Sequence, residues 1–165
     1  VNFHSNGEKN GSETGIKWFI VVKNAVKLEE VNIIFPNQLF EKSPLFDYKF
    51  KTYLIEEFLF FKQYKFHKKK IFFHRVSMKK YYDYCLKYFD EVEYINSTDK
   101  NSDITVLLDK LSKSEIKKIN YIDPCDNWLE KRINNIDSIK LNRIESLQFL
   151  NTETENQIFF NPSKK

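Results

Sequence analysis

Val31-Asn32-Ile33-Ile34-Phe35, closed by Pro36, is the stretch that decides the fold. Its large apolar residues form a run instead of alternating, as in a strand buried on both faces, and a prolyl ring cannot donate to a sheet ladder. Further strand-like runs follow at 53–58, 92–95, 119–122 (closed by Asp123-Pro124) and 138–141. Helical segments separate them. The first, residues 68–89, carries Ile71, Met78, Tyr82, Cys85 and Phe89 at the three- and four-residue steps of one helix face. The second spans 104–112 behind the N-cap candidate Asp103, and the third 126–134. Strands alternating with helices at these spacings predict βαβ units. The expected fold is α/β, a Rossmann-like three-layer domain with a five-stranded mostly parallel sheet formed by 31–35, 53–57, 92–95, 119–122 and 138–141.

Outward from this core, residues 1–29 read as a largely disordered leader: the first 15 are polar and rich in Gly, Ser and Asn, with one strand-like segment at 16–23. Residues 146–165 read as a connection leaving the domain, and 30–145 as the domain itself. The chain has 165 residues, enough for one domain with a sizeable core. All three glycines fall within the first 15 residues, so no GxGxxG or P-loop pattern exists to cradle a phosphate. Two cysteines, Cys85 and Cys125, form no CxxC and no disulfide framework, which points to a reduced, cytoplasmic setting. The run Trp18-Phe19-Ile20-Val21-Val22 is far short of the roughly 20 apolar residues a membrane helix needs.

The net charge is +4, almost entirely from lysine. Residues 62–80 hold the densest cluster: Lys65, Lys68, Lys69, Lys70 and Arg75, interleaved with aromatic residues. On a helix, His67, Lys70, His74 and Ser77 share one face. Such a ridge suits phosphates and stacked bases. The plainer reading is a solvated surface helix with Phe72 and Phe73 turned into the core. No metal site is expected, because His67 and His74 stand seven apart with no third ligand. No catalytic residue is expected either: there is no GxSxG elbow, and Cys85 lies on the core stripe of its helix. Glu56 and Glu57 end the second strand, where the pleat sends them to opposite faces, so only one can enter a shared site. Ligands of such sheets sit beyond the carboxyl ends of the strands, which draws attention to 36–39, to Glu56 and Glu57, and to 123–126.

The residues also carry a resemblance. Phe35-Pro36-Asn37-Gln38-Leu39-Phe40, then Tyr53-Leu54-Ile55-Glu56-Glu57, then Phe66-His67-Lys68-Lys69-Lys70-Ile71 with His74-Arg75-Val76-Ser77-Met78, and finally Asp123-Pro124 with Trp128-Leu129-Glu130-Lys131-Arg132 keep an order and spacing. They resemble the N-terminal region of the deoxyribodipyrimidine photolyase-related proteins, the iron–sulfur bacterial cryptochrome/photolyase family, from about residue 30 to about 150. The resemblance implies an antenna-type α/β domain that serves light-dependent DNA repair or blue-light sensing together with a helical domain. That helical partner would bind FAD, carry the iron–sulfur cluster and hold the DNA. The sequence after 146 would lead toward it, and the expectation is a truncated gene, a split gene or a fragment that stops before it. The family's α/β domain can hold 6,7-dimethyl-8-ribityllumazine. By position, Asn37, Gln38, Ile55, Glu56, Gln63 and His74 would line its pocket. Asn37 and Phe60 depart from members that have acidic residues there, which removes carboxylates from the pigment's surroundings. The competing expectations are a stand-alone nucleic-acid module using the 62–80 ridge and, less favoured for want of a phosphate loop, a nucleotide-handling enzyme.

Overall fold

A computed structural model describes residues 29–161. Apart from Glu29, the expected leader at 1–29, including its strand-like segment at 16–23, lies outside the described residues. Five strands, β1 (Glu30–Ile34), β2 (Lys51–Ile55), β3 (Val92–Ile95), β4 (Lys118–Ile122) and β5 (Lys140–Ile144), form one sheet in the order β3-β2-β1-β4-β5. Every neighbouring pair is parallel. The helices are α1 (Phe58–Phe61), α2 (Lys68–Cys85), α3 (Ile104–Ser112), α4 (Asn127–Ile133) and α5 (Glu153–Phe159).

Three layers follow from the two faces of the central strands. On one face Ile34, Leu54 and Ile122 pack against Met78, Tyr81 and Cys85 of α2. On the other, Ile33, Ile55 and Ile119 meet Leu107 and Leu111 of α3 with Leu129 and Ile133 of α4. Parallel strands covered on both sides need apolar residues at consecutive positions, and β1, β2 and β4 each have four consecutive buried residues.

A polar row crosses this sheet at one register level. Asn32 lies opposite Thr52 on one side and Asn120 on the other, and Asn120 lies opposite Asn142. Asn32 Nδ2 donates to Thr52 Oγ1 at 3.1 Å, Asn120 Nδ2 to Asn32 Oδ1 at 3.2 Å, and Asn142 Nδ2 to Asn120 Oδ1 at 2.7 Å. Asn32, Thr52 and Asn120 have no exposed surface. A one-residue slip would break the row and strand buried amides, so the ladder fixes the register of four strands.

Four local expectations are corrected. β2 stops at Ile55, short of residue 57, because the Glu57 carboxylate accepts from the Leu59 N–H and starts α1. α2 ends at Cys85, not at 89; a turn in which the Tyr88 and Phe89 N–H groups donate to Cys85 O then drops Phe89 into the core. The fifth strand is 140–144 instead of 138–141: the ladder with β4 begins at Lys140, and Ile139 before it is buried in the core with Leu129 and Ile133. Phe72 and Phe73 are not buried. Each is 70% exposed, because α2 turns Met78, Tyr81 and Cys85 inward and leaves these rings on its outer side. Among the described residues, no helix is long and apolar enough to cross a membrane.

Candidate functional site

From β1 the chain steps outward to β2 and β3, then returns to the far side of β1 to add β4 and β5. The switch point therefore lies between the carboxyl ends of β1 and β4, where sheets of this kind place their ligands. Here the two strand ends are stitched together. Gln38 is fully buried; its Nε2 donates to Ile122 O at 2.8 Å and Asp123 O at 3.1 Å. Asn37 Nδ2 donates to Pro124 O at 3.0 Å, and Asn37 O accepts from Gln148 Nε2 at 2.7 Å. Asn37 Oδ1 is buried with no hydrogen-bond partner.

The turn after β4 is held by side chains. Asp123 Oδ1 accepts from Cys125 N at 3.0 Å, and Cys125 takes a left-handed φ of 53°, unusual outside glycine and asparagine. Asp126 then caps α4 by accepting from the Trp128 and Leu129 N–H groups at 2.9 and 2.8 Å. This N-cap geometry leaves Trp128 59% exposed at the sheet's carboxyl edge.

The paired glutamates part as the pleat requires, and each finds a different setting. Glu56 is fully buried, and its carboxylate accepts from Arg75 Nε and Nη2, both at 2.7 Å, from Tyr94 Oη at 2.7 Å and from Ser97 N at 2.8 Å. Burial alone would raise this carboxyl, but the hydrogen bonds from Arg75, Tyr94 and Ser97 outweigh it and hold the group at about 2. Glu57 is also fully buried, on the other side. Burial pushes it up to about 7 against the opposing Leu59 N–H and the Arg132 charge. Arg132 Nε stands 3.8 Å from Glu57 Oε1 without a hydrogen bond, while its Nη2 donates to Asp103 Oδ1 at 2.5 Å.

A cleft of about 400 Å³ opens beside this pair, lined by Phe58, Leu59, Gln63, Trp128, Lys131 and Arg132. Its volume is within the range of small-ligand sites. The six residues expected to surround a pigment do not share one lining. Gln38, Ile55 and Glu56 have no exposed surface, and their polar atoms are engaged within the chain. Gln63 lines the cleft, whereas His74 lies half-buried with its ring 6.0 Å from that of Phe61. Burial, and then the nearby Lys70 charge, lower the His74 pKa.

The basic ridge is also divided. Lys65, Lys68, Lys69 and Lys70 are exposed on or just before α2, but Arg75 turns inward to Glu56. His67 serves as the N-cap of α2, its Nδ1 accepting from Lys69 N at 3.2 Å. Cys85 is buried, and burial pushes its thiol up to about 12, consistent with an inert core cysteine. Among the described residues no three His, Cys, Asp or Glu side chains converge as metal ligands would. Sequence reasoning missed Trp128 and Arg132 as lining residues, although both stand in the block quoted for the resemblance.

A family profile described as "Deoxyribodipyrimidine photo-lyase-related protein" matches residues 32–165, from β1 through the switch-point turn and beyond α5. The chain belongs to this family. The chain is also similar to "Uncharacterized protein R852" of Acanthamoeba polyphaga mimivirus, with 34% identity over 114 residues, 64% of this chain and 57% of that protein. The chain thus spans little more than half the length of that relative. Within the family match lie both the Glu56–Arg75 pair and the Trp128 cleft.

Proposed function

We propose that this chain is the antenna-type domain of a photolyase/cryptochrome-related protein of the iron–sulfur bacterial type, acting in light-dependent DNA repair or blue-light sensing together with a helical domain. FAD, the iron–sulfur cluster and the contact with lesion DNA belong, in this reading, to the helical partner. The observation that carries it is the family match over residues 32–165. A second feature agrees with it: beyond β5, Leu147, Phe149 and Leu150, and then Ile158, Phe159 and Phe160 on α5 and its end, are all more than half exposed. Apolar side chains concentrated in this way mark a surface that another body covers.

A flat heteroaromatic pigment such as 6,7-dimethyl-8-ribityllumazine would have to use surface that is open. That surface is the Trp128 cleft, with Gln63 as the one carried-over residue lining it. Glu56, with Arg75, would position the β2 end from behind, and Gln38 would hold the β1 and β4 ends together. The test is a fluorescence titration of the purified chain with 6,7-dimethyl-8-ribityllumazine, repeated with Trp128→Ala. Saturable quenching that Trp128→Ala weakens at least tenfold supports the antenna reading. No saturable binding, or binding indifferent to Trp128, rejects a pigment at this edge.

A further inference from the structure

The outer face of α2 is a second surface, apart from the one beyond β5, that folding does not account for. At 100° per residue, Lys69, Phe72, Phe73, Val76 and Lys80 fall on the side opposite Met78 and Cys85. Phe72 and Phe73 are each 70% exposed and Val76 is 49% exposed. Two adjacent phenylalanines in water contribute nothing to the core, and each has lysines three or four residues away on the same face.

Charge sharpens the contrast. From Phe58 to Tyr82 there is no Asp or Glu, although the chain as a whole has 23. Arg75 in this stretch is neutralised by Glu56, and Lys70 and Lys79 lie over the rings of Phe66 and Tyr94 at 3.8 and 3.5 Å. Lys65, Lys68, Lys69 and Lys80 form no ion pair among the described residues. By comparison Lys51, Lys113, Lys117 and Lys118 elsewhere on the domain each meet a carboxylate within 2.9 Å. Lys68, Lys69 and Lys70 also occupy the first turn of α2, where the helix dipole opposes positive charge and no acidic residue offsets it. Asp83 is the carboxylate that shares this outer face.

We infer that the outer face of α2 binds single-stranded nucleic acid, with Phe72 and Phe73 stacking on unpaired bases and Lys65, Lys68, Lys69 and Lys80 meeting the phosphates. The occupant follows from complementarity: exposed rings offer π-faces to bases, and unpaired lysines offer charge to a polyanion. A membrane surface fits less well, because such binding scales with buried apolar area and α2 commits its other face to the core. This surface is distinct from the Trp128 cleft, so the inference stands or falls independently of the pigment.

The experiment is fluorescence anisotropy of a labelled 12-nucleotide oligo(dT) with the full chain across a salt series. Unlabelled duplex of the same length and 1:1 phosphatidylserine/phosphatidylcholine vesicles serve as competitors. Binding to oligo(dT) is expected to weaken with salt at a log–log slope of about −0.7 for each lysine engaged. Phe72→Ala/Phe73→Ala is expected to reduce affinity by roughly thirtyfold or more with the slope unchanged. Lys69→Gln/Lys80→Gln is expected to flatten the slope by about 1.4. Because all four side chains are on the surface, melting by circular dichroism should match the parent and exclude misfolding. No binding at low salt, an unaltered affinity in the phenylalanine variant, or preferential displacement by duplex or vesicles would each overturn the inference.

Discussion

Replacing Glu56 by Gln keeps the side chain's shape and removes the charge that four donors converge on. Arg75 Nε and Nη2, Tyr94 Oη and Ser97 N all reach this carboxylate at 2.7 to 2.8 Å, and Glu56 itself has no exposed surface. The group is held at about 2, against an ordinary 4.5. At about 1.4 kcal/mol per unit, that displacement corresponds to roughly 3 kcal/mol in favour of the ionised folded state. A glutamine at this position would also point an amide N–H₂ at one of the four donors and leave Arg75 without a counter-charge. The expected loss at pH 7 is therefore about 3 kcal/mol, within the range for breaking one side of a buried pair. The pH dependence fixes the cause. Because the folded pKa is depressed, the stabilisation is complete above about 4.5 and is lost as the pH falls toward 2, so the gap between parent and E56Q should narrow over that window. Urea unfolding of both proteins between pH 7 and pH 3 reads it directly, the other carboxylates being common to both. A gap below 0.5 kcal/mol at pH 7, or one that does not narrow on acidification, would refute the reasoning.

Glu57 should behave in the opposite sense: its folded pKa is raised by burial to about 7, so its contribution is full below 4.5 and lost as the pH rises through 7. Glu57→Gln is accordingly expected to gain about 2–3 kcal/mol relative to the parent between pH 5 and pH 8.5 in urea titrations, and a flat difference would reject this. Asn120→Leu removes the middle of the polar row and strands the Asn142 amide and Asn32 Oδ1, at an expected cost of about 3 kcal/mol; a change within 0.5 kcal/mol in the urea midpoint would show that the row does not set register. Phe159→Ser with Phe160→Ser is expected to shift stability by no more than about 0.5 kcal/mol, because both rings are exposed, and amides of α5 should exchange faster than those of β1; a loss above 1 kcal/mol, or equal protection, would place the tail in this domain's own core.

The layer architecture was legible because β1 and β4 announce themselves through apolar runs ended by proline-containing turns, and α2 through residues at helical steps. The sequence pattern places β5 two residues early because Lys140-Leu141-Asn142-Arg143-Ile144 is an edge strand of mixed polarity, with little apolar run to align on. The misplaced Phe72 and Phe73 show the limit of composition: a helix can bury only one side, and Met78, Tyr81 and Cys85 claimed it. α5 has no apolar stripe for the pattern to show, and its one sequence signal is the capping box formed by Thr152 and Glu155. Within the candidate site, the opposed settings of Glu56 and Glu57 were readable from the pleat. The Arg75 and Ser97 partners were not, since they lie 19 and 41 residues away and depend on the fold bringing β2, α2 and β3 ends together. The asparagine row is non-local for the same reason.

In the proposed reading this domain serves a flavin-bearing partner and does no flavin chemistry by itself. The most direct measurement is the visible spectrum of the purified chain after equilibration with FAD and desalting, followed by blue-light illumination with a lesion-bearing oligonucleotide. The account predicts no retained flavin absorbance and an unrepaired lesion. One equivalent of FAD held per chain, or repair that depends on light, would contradict it.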